Sequence, residues 1–157
     1  MRILGIDPGT SLIGYGLIDH DGKNYRVVTY GDFRTKSNIK NRERVKLIYA
    51  FFDKLIKKHR PQQIALESLF FFKNTKTAIA VSEVRGVLLL AAANHNLEIR
   101  EFTPLQVKQA ISGYGRAQKD QVQRMVQLVL GLKSAPKPDD AADALALAIC
   151  CANTIVY

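Results

Sequence analysis

The sequence predicts an α/β protein: a mixed β-sheet of three antiparallel strands followed by parallel ones, with helices on both faces. Three observations lead there. Up to Phe33 the apolar residues come in short runs separated by turn signals, which is the pattern of a strand meander. After Phe33 the apolar spacing lengthens to three and four residues, the helical period. From that point helical stretches and short apolar runs alternate, the order in which parallel strands are joined. At 157 residues one domain spanning 1–157 is expected, burying roughly two thirds of the surface its unfolded chain would expose.

Residues 3–7 form an apolar run ended by Asp7-Pro8-Gly9-Thr10, a buried strand stopped by a turn. Ile13 to Asp19 is a second strand, in which Gly14 and Gly16 weaken the element or let another backbone come close. Asp21-Gly22 is a hairpin signal, and Tyr25 to Phe33 alternates as a third strand. Val45, Ile48, Phe52, Leu55 and Ile56 share one helix face, and Pro61 ends that helix. Gln63 to Leu69 is a short apolar strand with one acid, Glu67. Thr77 to Asn94 is a helix apolar nearly all round, so it is either fully buried or shared between two copies of the protein. Glu98 to Phe102 is a strand, and Pro104 opens a short helix through Ile111. After a Gly113-Tyr114-Gly115 loop, Lys119 to Leu130 is amphipathic. Pro136 and Pro138 then precede a last helix from Asp139 or Asp140 to about Asn153.

The chain carries 23 Lys and Arg against 14 Asp and Glu, a net charge of +9. Between Lys23 and Arg60 there are twelve basic residues and three acids, so that stretch holds the whole surplus. Singly these are solvated side chains; together they favour a polyanionic partner, because neutralising phosphates releases counterions. The longest apolar run, Ala144 to Ala152, has nine residues, far short of the ~20 that span a bilayer. No signal-peptide layout is present at the N-terminus. A cytoplasmic protein without membrane contact is expected. Cys150 and Cys151 are adjacent in an apolar stretch, which suits reduced, buried thiols better than a disulfide or a zinc site.

Several acids sit where an acid is costly. Asp7 ends a hydrophobic strand, Glu67 lies within another, and Asp140 and Asp143 flank Ala141-Ala142 at the start of an apolar helix. Each has an ordinary explanation: a turn cap for Asp7, a lysine partner for Glu67, an N-cap for Asp140, a helix-dipole acid for Asp143. Jointly they suggest another. A mixed sheet can set Asp7 beside Glu67, and a helix starting near that edge would aim Asp140 and Asp143 at them. Converging carboxylates repel one another unless a cation lies between them, and oxygen-only ligands select Mg²⁺ or Mn²⁺. Two such ions about 4 Å apart can activate water for phosphodiester hydrolysis. Asp139 and Asp143 also share a helix face, so spacing leaves 139 and 140 both open.

The motifs Ile-Leu-Gly-Ile-Asp-Pro-Gly-Thr (3–10), Ala-Leu-Glu-Ser-Leu-Phe (65–70), Phe-Lys-Asn (72–74), Glu-Val-Arg-Gly-Val (83–87), Gln-Val-Lys-Gln (106–109) and Asp-Asp-Ala-Ala-Asp-Ala-Leu-Ala (139–146) resemble those of the RuvC family. These are bacterial Holliday-junction resolvases with a ribonuclease-H-like fold. The resemblance runs from about residue 2 to residue 150, in the family's order and spacing. It implies a homodimer that cuts two opposed strands of a four-way DNA junction with Mg²⁺, two ions per site and Mn²⁺ able to substitute, in recombination and repair. Work beside the RuvA–RuvB branch-migration machine is implied too. Matched residue by residue, the family's catalytic and metal-binding acids fall at Asp7, Glu67, Asp140 and Asp143, the Asp-Ala-Ala-Asp order favouring Asp140 over Asp139. An aromatic that stacks on a junction base falls at Phe70, and basic residues near the scissile phosphate fall at Lys108 and Lys119. Read without the family, Phe70 is equally a core or a stacking residue, and the two lysines are equally surface charges.

Other function classes compete with this reading. An actin-like or sugar-kinase-like ATPase also has Asp-x-Gly-Thr after a strand, but this chain lacks a second such loop. A catalytically silent DNA-binding module would keep only the basic surface, whereas all four acids are present. A ribonuclease H acting on RNA–DNA hybrids would share the acids and differ in substrate.

Overall fold

A computed structural model of the chain describes residues 1–68 and 75–154. Its elements are β1 (Arg2–Asp7), β2 (Leu12–His20), β3 (Tyr25–Arg34), α1 (Asn41–His59), β4 (Gln63–Glu67), α2 (Thr75–Asn94), β5 (Glu98–Phe102), α3 (Pro104–Ser112), α4 (Lys119–Val129) and α5 (Asp139–Asn153). The strands make one five-stranded sheet in the order β3-β2-β1-β4-β5. β1 pairs antiparallel with β2, and β2 with β3, while β1–β4 and β4–β5 are parallel. This is the mixed sheet expected from the sequence. Asp21 closes the β2–β3 hairpin by accepting hydrogen bonds from the backbone N–H of Lys23 and Asn24, with Gly22 at φ 98°.

Strand alternation sorts the side chains into two cores. Leu4, Ile6, Ile13, Leu17, Ile64 and Leu66 face α1 and α2, where they meet Ile48, Phe52, Leu55, Val84 and Leu88. Ile3, Ile18, Ala65 and Phe102 face the other way, toward α3, α4 and α5. The same alternation puts Gly5 and Asp7 of β1 on the α5 side with Ile3. Ala65 and Glu67 of β4 share that side.

Glycines let α5 come unusually close to this face. A Cβ on Gly5 would stand 1.9 Å from the Ala144 carbonyl oxygen, and one on Gly14 would stand 2.0 Å from that of Asp140. Backbone therefore lies on backbone, and nothing but glycine fits between. Gly14 does serve the close approach that its place in a strand suggested. α5 runs almost wholly buried from Ala141 to Ala152, apart from half-buried Asp143.

Helix ends follow local chemistry. α1 stops at Arg60, which takes a left-handed cap (φ 48°) before Pro61 and donates its N–H to Ile56 O at 2.7 Å. α3 opens with a capping box: Gln106 N–H donates to Thr103 Oγ1, and Thr103 N–H donates to Gln106 Oε1. α5 begins at Asp139 with Pro138 as its N-cap and no side-chain cap, so Asp140 is a first-turn residue rather than the N-cap. α2 departs from full burial. Val81, Val84, Leu88, Ala91 and Ala92 are buried, whereas Ile79, Leu89 and Leu90 are exposed, Leu90 at 54%. Cys150 and Cys151 are buried and unbridged, and burial pushes both thiols up to about 11.

Candidate active site

The β1–β4 register pairs Ile6 with Leu66, so the next residues, Asp7 and Glu67, stand side by side at the ends of neighbouring strands. Both point to the face that α5 covers. α5 enters over this edge with Asp140 packed against Gly14, whose rung partner is Asp7. Asp143 follows one turn later on the same side. A cavity of about 290 Å³ opens here, lined by Asp7, Glu67, Asp143, Lys108 and Lys119, with Pro104, Val122 and Leu147 as its apolar wall.

The electrostatics record the convergence. Burial pushes the Asp7 carboxyl up to about 7, reinforced by Glu67, Asp143 and Asp140 and opposed by Lys119. Glu67 is raised by burial and then by Asp143. Asp143 is raised by burial, against the pull of Lys119. The lysine partner considered for Glu67 is absent among the described residues.

Asp139 and Asp140 part company. Asp139 is exposed, and its Oδ2 lies 3.3 Å from Lys119 Nζ, which stands equally far from Asp143 Oδ2. Asp140 faces the sheet and adds to the charge felt by Asp7. The two carboxylates are one residue apart and about 100° apart around the helix, which is why spacing to Asp143 left both open.

Lys119 opens α4, and Lys108 lies on α3 where the Thr103 capping box fixes the helix start. Both reach the cavity. Phe70 lies outside the described residues. Arg85 has no part in the sequence reading of the site, yet it reaches the site's backbone: its Nη1 donates to the Glu67 carbonyl oxygen at 2.7 Å. The signal for it was an arginine within an apolar helix.

The donor set suits a hard divalent ion, since every acid offers oxygen and the group destabilises its own ionised form. Among the described residues no three such side chains already stand at ligating distances.

Residues 3–151 match the family profile described as "Crossover junction endodeoxyribonuclease RuvC". A relative of that name from Fusobacterium nucleatum is 50% identical over 155 residues, covering 99% of this chain and 82% of its own. Another, from Alkaliphilus metalliredigens, is 53% identical over 154 residues, covering 98% and 94%. Among solved structures, Thermus thermophilus RuvC in complex with a Holliday junction superposes with a TM-score of 0.89 at 33% identity, covering 96% of this chain and 92% of that one.

Proposed function

The chain belongs to the RuvC family of crossover junction endodeoxyribonucleases, and on that premise we propose how its own residues resolve a Holliday junction. It is a structure-specific endonuclease that hydrolyses phosphodiester bonds of four-way DNA. Asp7, Glu67, Asp140 and Asp143 form its catalytic, metal-binding set. The observation that carries this is the placement of Asp7 beside Glu67 under the first turn of α5, in a cavity that also holds Lys108 and Lys119.

Divalent ions held by these carboxylates, Mg²⁺ in the proposal and two per site, would lower the pKa of a water and offset charge on the leaving oxygen. The residues do the rest. Asp7 and Glu67, fixed on hydrogen-bonded strands, set the floor of the site, and rigid strands hold such groups more closely than loops do. Asp143 lines the cavity from α5, and Asp140, one turn earlier, stands beside it against Gly14. Lys108 and Lys119 point ammonium groups where charge gathers on the phosphate. Lys119 sits against Asp139 and Asp143, so turning toward a phosphate means leaving a carboxylate pair.

Two matched cuts call for two sites related by a two-fold axis, hence a homodimer. The exposed Ile79, Leu89 and Leu90 of α2 are its proposed interface. The proposal extends to one nuclease domain over 1–157, base stacking by Phe70, partnership with the RuvA–RuvB machine and a cytoplasmic setting. No described helix is long and apolar enough to cross a membrane.

The test is a labelled four-way junction beside linear duplex and RNA–DNA hybrid, with and without Mg²⁺. The wild type should cut the junction only, and only with the ion. Asp7→Asn and Glu67→Gln should bind the junction and leave it uncut. Near-normal cutting by either variant would remove that acid from the chemistry, and preferred cutting of the hybrid would favour a ribonuclease H.

A further inference from the structure

Among the described residues Arg85 is the one buried lysine or arginine, 8% exposed. A guanidinium withdrawn from water is costly unless its donors are met, and an apolar side chain of similar size would often serve stability as well. The fold nevertheless spends one here. Its Nη1 donates to the main-chain oxygen of Glu67 at 2.7 Å, and its Nη2 pairs with Glu101 of β5.

The position of that carbonyl matters. Glu67 is the last residue of β4, and the β1–β4 register ends one residue earlier, at Leu66. On the other edge Ser68 N–H donates to Phe102 O at 2.9 Å. Among the described residues, the peptide after Glu67 is thus held by one backbone bond and by Arg85. Strand ends fray, and a turn about the backbone there would swing the carboxylate off the face it shares with Asp7. Arg85 approaches from α2, on the opposite face of the sheet, so it touches no reacting atom. Among the described residues the neighbouring Ser68 hydroxyl, which is buried, has no hydrogen-bond partner.

We propose that Arg85 is a positioning residue for catalysis, clamping the Glu67 carbonyl so that the Glu67 carboxylate stays beside Asp7. The inference rests on the reading of Glu67 as a member of the catalytic set. Lysine can supply the charge at this site but not both arms of the planar fork. Arg85→Lys should therefore fall between the wild type and Arg85→Gln.

The experiment uses the full chain and a four-way junction under single-turnover conditions, with junction affinity, thermal midpoint and Mn²⁺ dependence measured alongside. Arg85→Gln should lose about a hundredfold in cleavage rate, while junction affinity stays within about twofold of wild type. Its half-saturating Mn²⁺ concentration should rise roughly tenfold, and direct Mn²⁺ binding without DNA should weaken alike. Arg85→Lys should lose roughly tenfold in rate, and methylguanidinium should restore part of the activity of Arg85→Ala. A folded Arg85→Lys or Arg85→Gln protein that cuts at the wild-type rate with unchanged Mn²⁺ dependence overturns the proposal. So does a fall in rate matched by the loss of folded protein or of junction binding, since the arginine would then serve only the fold. Glu67→Gln is the reference. If it is inactive while the Arg85 variants are normal, the clamp alone is wrong; if it is active, the site itself is misread.

Discussion

Asp7 takes its character first from its burial and then from the carboxylates around it. Its carboxyl lies at about 7, and those of Glu67 and Asp143 are raised as well, whereas in an unfolded chain each titrates near 4. Without divalent ions, folding therefore favours proton uptake between about pH 4 and 7. The stability these groups contribute is fully present below about pH 4 and is lost as the pH rises toward 7. With a chelator present, urea unfolding should show the protein less stable at pH 8 than at pH 5. Asp7→Asn should flatten that dependence and exceed the wild type at pH 8 by on the order of a few kcal/mol. The same protons must leave when a cation arrives. Mn²⁺ binding followed by calorimetry in two buffers should show proton release at pH 6.5, and affinity should drop as the pH falls from 8 to 6. Asp7, Glu67 and Asp143 were legible in the sequence because acids in apolar runs contradict their surroundings. Spacing left Asp139 and Asp140 both open, since only the way α5 lies on the sheet sets Asp140 against Gly14 and leaves Asp139 exposed. Arg85 was missed, because its target lies on a distant strand and no local pattern ties the two together.

At the scale of elements, the contact between α5 and the sheet has no slack. Gly5→Ala would drive a methyl into the Ala144 carbonyl, and overpacking of this kind should cost about 3 kcal/mol or more. Urea unfolding measures it, and whatever folds should cut poorly because Asp140 and Asp143 travel with the helix. Thr103→Ala removes one half of the α3 capping box and should cost about 1 kcal/mol, with a smaller loss of rate through Lys108. The elements themselves were readable. Alternation, the Asp21-Gly22 turn and the prolines near helix ends are local signals, and they marked every strand and helix in order. α2 was harder. Its even distribution of apolar residues said that most of its surface avoids water, but not that one side would remain uncovered within a single chain. That side is determined by α1 and the sheet, which fill the other.

Taken whole, the molecule sets a basic outer layer around an acidic recess. β3 ends at Arg34, whose partner on β2 is Leu12, two residues before the Gly14 that faces Asp7. The basic run that follows, with Lys36, Lys40 and Lys46, thus begins at the cavity's end of the sheet. Junction affinity should fall steeply with salt. Replacing those three lysines with glutamine should weaken binding and lower the slope of log affinity against log salt by up to about 3, read from filter binding across a salt series. The exposed face of α2 sets a further test. Leu90→Lys should shift sedimentation toward monomer and change paired cuts into single nicks, seen as relaxed rather than linear product from a cruciform plasmid. Clustered charge was plain in the sequence, whereas its orientation to the recess came only with the sheet. The recess also joins stretches made at different times. Asp7 and the basic stretch leave the ribosome before Asp140 and Asp143 do. A chain still being made can thus acquire its attraction for nucleic acid while two of the four acids proposed to hold the metal are missing, so on that proposal binding precedes the means of cutting.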